Sequence, residues 1–105
     1  MSRLEQLQKF LEIDPNDSFT RYAIGLELAS LKSYDKAIEQ FEALRASDPE
    51  YVATYYQLAS AYREDGNKVK AAEIYSVGIT TARKMNDLHA AGELQAALEE
   101  MEDED

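Results

Sequence analysis

The chain has 105 residues, 45% hydrophobic and 30% charged, with only four Gly and two Pro, which suits one small domain and excludes a low-complexity or collagen-like chain. It has no cysteine, so a disulfide framework and any thiolate metal site are excluded. The net charge of −10 is concentrated at one end: residues 93–105 carry seven acidic groups and no basic ones, while the rest of the chain is close to neutral. Binding to a phosphate backbone needs clustered Lys and Arg, so no nucleic-acid partner is expected. No apolar run approaches the ~20 residues that span a bilayer. The first ten residues, MSRLEQLQKF, carry charges where a signal peptide needs an apolar stretch. No membrane association is expected, and the expected location is cytoplasmic.

Residues 2–13 show Leu4, Leu7, Phe10 or Leu11, and Ile13, an apolar stripe at helical spacing, with Ser2 as N-cap. Asp14-Pro15 ends this helix, because proline cannot continue it and pushes the preceding residue out of the helical region. A second helix is expected over residues 17–31, apolar nearly all round and so buried on two sides. Gly25 sits inside it and marks close approach of a partner helix. A turn at Lys32-Ser33-Tyr34 leads to a third helix over residues 35–46, and Asp48-Pro49 repeats the earlier break. A fourth helix is expected over residues 50–64, with Gly66 as a left-handed C-cap. A fifth covers residues 68–84, with Gly78 again marking close packing. After a turn in which Asn86 is the candidate cap, a sixth covers residues 87–101. The final EDED, residues 102–105, is expected to be a disordered acidic tail.

The chain repeats itself. A shift of 34 residues places Asp14-Pro15 on Asp48-Pro49, Thr20 on Thr54, Tyr22 on Tyr56 and Lys36-Ala37 on Lys70-Ala71. Leu7, Phe41 and Tyr75 superpose as a triple, as do Glu5, Glu39 and Glu73. Paired helices at this period resemble the tetratricopeptide repeat (TPR) family. In residues 18–51, Ile24-Gly25 fits the family's Leu-Gly pair, Leu28 takes a Tyr place, and Ala37, Phe41, Leu44 and Pro49 match the second helix and its end. Arg21 stands where the family often has Trp, and in residues 52–85 Tyr55 takes that place. Leu58-Ala59, Tyr62, Ala71 and Tyr75 follow, while Gly78 and Arg83 depart from the expected apolar residue and proline. Residues 2–17 match the second half of a preceding repeat through Leu7, Phe10 and Pro15, and residues 86–101 read as a cap helix. The resemblance implies an all-α fold: a short right-handed TPR-like solenoid of five to six antiparallel helices, one domain over residues 1–101. The angle of the last helix depends on the proline that Arg83 replaces.

Catalysis finds little support. There is one His, His89, and no recognisable nucleophile motif or Gly-rich phosphate loop. A lone imidazole lacks the partners a metal site needs, so no cofactor or metal is expected. The resemblance implies that the first helix of each pair lines a concave face. That face then carries Phe19, Tyr22, Leu26, Ala29 and Ser30, followed by Ala53, Tyr56, Ser60 and Arg63, with Ala90 and Leu94 from the cap helix. An aromatic strip with one Arg suits a partner peptide or helix. A TPR subtype clamps a C-terminal carboxylate with Lys and Asn, but the corresponding positions here are Tyr22, Leu26 and Gln57, so that mode is not implied. The expected function is a non-enzymatic protein-interaction module, with Phe19, Tyr22, Leu26, Ala53, Tyr56, Ser60 and Arg63 contacting the peptide. The alternative is a self-associating scaffold unit, a homodimer, with no peptide in the groove. The acidic tail either steers a basic partner or serves solubility.

Overall fold

A computed structural model describes residues 1–104 of the chain. Six α-helices follow one another: α1 (Arg3–Ile13), α2 (Ser18–Ser30), α3 (Tyr34–Ser47), α4 (Ala53–Glu64), α5 (Lys68–Lys84) and α6 (Leu88–Glu102), with no strand among the described residues. Each helix packs chiefly on its neighbours in the chain, and α2 also touches α4. Each helix supplies only a stripe of buried residues, so the stripes must stack to make one continuous core, as in a helical-repeat solenoid.

Two kinds of connection alternate at first. The α1–α2 and α3–α4 links contain the prolines, as expected. The α2–α3 and α4–α5 links are Schellman turns. In the first, the Ser33 and Lys32 N–H groups donate to the Leu28 and Ala29 carbonyls, at 2.9 Å each. In the second, Asn67 and Gly66 donate to Tyr62 and Arg63 at 2.8 and 3.0 Å. The left-handed position falls on Lys32 (φ 61°) and on Gly66 (φ 87°), the latter as the sequence predicts.

The α5–α6 link breaks the alternation. It too is a Schellman turn: Asp87 and Asn86 donate to Ala82 and Arg83 at 2.8 and 3.0 Å, with Asn86 at φ 59°. Without a proline at position 83, α5 runs for 17 residues where α3 runs for 14. Asn86 is therefore the left-handed residue that closes α5, and the N-cap of α6 is Asp87, whose carboxylate accepts from the Ala90 N–H at 3.1 Å.

Four other expectations are revised. In α1 it is Leu11 that turns toward the core, while Phe10 and Ile13 are exposed at 59% and 81%. Phe10 occupies the place of Leu44, which is fully buried in α3, but no helix lies against it. The exposed side chains of Phe19, Leu26 and Leu31 likewise show that α2 is not buried on two sides. The fourth helix begins at Ala53 rather than at 50, because Tyr51 and Thr54 first make i→i+3 bonds to Asp48 and Tyr51. At the other end, α6 extends through Glu102, and Glu104 reaches back to Arg63 and Lys68, so residues 102–104 are held rather than disordered. Asp105 lies outside the described residues.

Two glycines permit close helix approach. A Cβ on Gly25 would lie 2.4 Å from the Phe41 ring, and one on Gly78 would lie 2.6 Å from the Tyr55 Cβ. Both glycines belong to the seam between the helices of a pair, where a ring fills the space a methyl group would need.

Candidate functional site

The helices sort into two layers by the surfaces they share. One cleft, of about 740 Å³, lies on the outer side between α3 and α5, lined by Arg45, Glu50, Val77 and Lys84 among others. A second, of about 420 Å³, is formed by α2, the start of α4 and the first half of α6, and a third, of about 520 Å³, lies between α1, α2 and α3. The α6 helix on the far side of the second cleft follows the Schellman turn that ends α5. Its N-terminal half does not close against α4 in the way that α4 closes against α2.

Tyr22 forms one wall. Its ring meets Phe41 and Tyr51 at centroid distances of 6.0 and 5.7 Å. Burial pushes the Tyr22 hydroxyl above its usual pKa, and a hydrogen bond with Gln57 only partly offsets this. The phenol therefore stays neutral at physiological pH. Tyr56 stands on α4 with 41% of its surface exposed, edge-on to the buried Tyr75 at 6.2 Å. Ala53 leaves room between the two tyrosines. The opposite wall comes from Asp87, His89, Ala90, Glu93 and Leu94 of α6. His89 Nε2 lies 3.1 Å from a Glu93 oxygen, and both side chains are well exposed.

Of the seven residues assigned from sequence, the structure brings Tyr22, Ala53 and Tyr56 together in this cleft. Phe19 and Leu26 are exposed on α2, outside the cleft walls, and Ser60 is half-buried further along α4. Arg63 does not present a free guanidinium. It is ion-paired to Glu100 at 3.3 Å and to Glu104. Burial works against its charge, but hydrogen bonds with Glu100 and Tyr75 outweigh that and raise its pKa. Lys68 joins the cluster through Glu104 at 3.2 Å.

Sequence reasoning passed over Val52, Gln57, Asp87, His89 and Glu93 as cleft residues. The signal was present: the same 34-residue shift carries Ala53 onto Asp87 and Tyr56 onto Ala90. Among the described residues, no group of three or more His, Asp or Glu is arranged to hold a metal ion. No described helix is long and apolar enough to cross a membrane.

No family model matches the chain. Solved structures do. A tetratricopeptide repeat domain protein from Salinibacter ruber is 36% identical, with a TM-score of 0.82 over 88% of this chain and 93% of that one. YrrB, described as a TPR protein with an unusual peptide-binding site, is 32% identical, with a TM-score of 0.73 over 83% of this chain and 45% of that one. A curated relative, the RNA polymerase-associated protein CTR9 of Caenorhabditis elegans, is 27% identical over 80% of this chain, which spans only 7% of that relative's length. The repeat period, the alternating turns, the glycine-and-ring seams and the first of these structures together show that the chain belongs to the tetratricopeptide repeat family.

Proposed function

We propose that the chain is a non-enzymatic interaction module that holds a partner peptide or helix on the face formed by α2, α4 and α6, in the cytoplasm. One observation carries this reading. A cleft of about 420 Å³ lies between Tyr22, Tyr56 and α6, on the face that α2, α4 and α6 share. A concave, largely apolar site with a few fixed polar groups is the usual form of a binding pocket. YrrB lends support, being a TPR protein with an unusual peptide-binding site. The half-exposed Tyr56 is the natural anchor, because a large rigid ring gives contact area at little entropic cost. Tyr56→Ala is expected to abolish capture of a bound peptide while the melt stays nearly unchanged. Retained capture contradicts the groove.

A second reading has its own observation. Phe10 and Ile13 of α1 form an exposed apolar face where a solenoid ordinarily places another helix. A second copy covering it makes a dimer. Light scattering at micromolar concentration separates the two readings: a monomer supports the peptide module, and a dimer that Ile13→Glu dissolves supports self-assembly.

A further inference from the structure

The cleft between α4 and α6 differs from the rest of the concave face in charge. Its walls hold two carboxylates, Asp87 and Glu93, and no Lys or Arg. The cation that the sequence assigns to this face, Arg63, is already covered by Glu100 and Glu104. Resting on the reading of this cleft as a peptide site, we propose that its occupant is a basic segment whose Lys or Arg side chain enters between Tyr56 and the start of α6.

Three features fit that occupant. Tyr22 and Tyr56 line the cleft, and aromatic rings attract a cation more strongly as water is displaced. The Asp87 carboxylate is fixed in position, because one oxygen accepts from the Ala90 N–H and the other remains for a guest. Glu93 sits one helical turn further along the same wall, held only by exposed His89. A chain of net charge −10 also draws a basic segment in from a distance and repels an acidic one. An acidic peptide at this site would face two carboxylates and no Lys or Arg.

The test is selection of a random short-peptide library on the full-length chain, with the winners measured by fluorescence anisotropy. Three variants are compared, one of them Tyr56→Ala. Asp87→Asn with Glu93→Gln removes the cleft charge while Asn keeps the helix cap. Glu102→Gln with Asp103→Asn removes the same charge outside the cleft. The expected result is enrichment of Lys- or Arg-containing sequences whose affinity falls roughly tenfold in the cleft variant, about 1.4 kcal/mol, and at most about twofold in the outer variant. Equal losses in both variants overturn the proposal, since they show only long-range attraction. Winners without Lys or Arg that still need Tyr56 overturn the charge assignment and leave the groove reading standing. Winners indifferent to Tyr56→Ala, or no winners at all, overturn both.

Discussion

The α2–α3 and α4–α5 pairs solve the same packing problem with different residues. Arg21 and Tyr55 occupy one position of the repeat, and each donates a hydrogen bond to the carbonyl of the preceding proline, Pro15 or Pro49. Arg21 does so at 3.2 Å from a half-buried site, and the space inside the seam is filled by Leu44. Tyr55 does so from a fully buried site, and the equivalent of Leu44 is Gly78, whose missing side chain admits it. Large and small have exchanged places across the seam. A repeat position therefore specifies a joint volume and a hydrogen bond, not a residue.

The largest effect that can break this comparison is at those two positions. Tyr55→Ala opens a cavity against Gly78 and Leu94 and leaves the Pro49 carbonyl without its donor, at a cost of ~3–5 kcal/mol. Arg21→Ala removes a half-buried side chain and costs about 1 kcal/mol. Chemical denaturation of both variants measures the difference, and equal losses show the two pairs to be packed alike.

Next comes the other half of the seam. Gly25→Ala drives a methyl group into the Phe41 ring and is expected to destabilise by ~1–3 kcal/mol, despite the better helix propensity of Ala. The corresponding residue of the second pair is Ala59, already accommodated and fully buried. Ala59→Gly should cost about 1 kcal/mol for propensity and lost contact. A neutral Gly25→Ala, read by thermal melting, contradicts the assigned close approach.

Smaller and opposite in sign is the threonine pair. Thr20 donates to Asp17 at 2.5 Å. In the second pair Tyr51 replaces that aspartate, and the Thr54 hydroxyl is buried with no hydrogen-bond partner. Thr54→Val is expected to stabilise by ~1 kcal/mol and Thr20→Val to destabilise by a similar amount. Two changes of the same sign refute the comparison.

The smallest effect is confined to alkaline pH. Burial, followed by the hydrogen bond to Glu42, pushes the Tyr62 pKa up to about 12 from its ordinary 10.0. Below pH 10 both folded and unfolded states hold the proton and the contribution is whole. Between pH 10 and 12 the unfolded chain releases its proton first, so stability falls as pH rises. Tyr62→Phe should flatten that part of the pH–stability curve. A slope unchanged by the substitution assigns it to the other tyrosines shifted upward, Tyr22, Tyr51 and Tyr75.

Much of the fold was legible because it depends on local chemistry. Proline after aspartate stops α1 and α3, glycine after Asp65 closes α4, and Ser2 with Glu5 forms the capping box that opens α1. Phe41 and Tyr75, which superpose under the repeat shift, are fully buried. The candidate site was legible at Tyr22, Ala53 and Tyr56, and on the cap helix at Ala90 and Leu94. The polar residues of its far wall, Asp87, His89 and Glu93, carry no local pattern that marks them as cleft residues. Glu100 reaches Arg63 across 37 residues, a pairing that no local pattern announces. The exposure of Phe10 follows from the lack of a neighbouring helix, which the apolar stripe of α1 does not record.

The claim that function lies on the face away from the α3–α5 outer cleft can be tested by titrating a selected basic peptide into isotopically labelled chain and mapping amide shifts. The account predicts that the largest changes fall on Ala53, Tyr56, His89 and Ala90, and that Glu50, Val77 and Lys84 are undisturbed. Shifts concentrated on Glu50, Val77 and Lys84 contradict it.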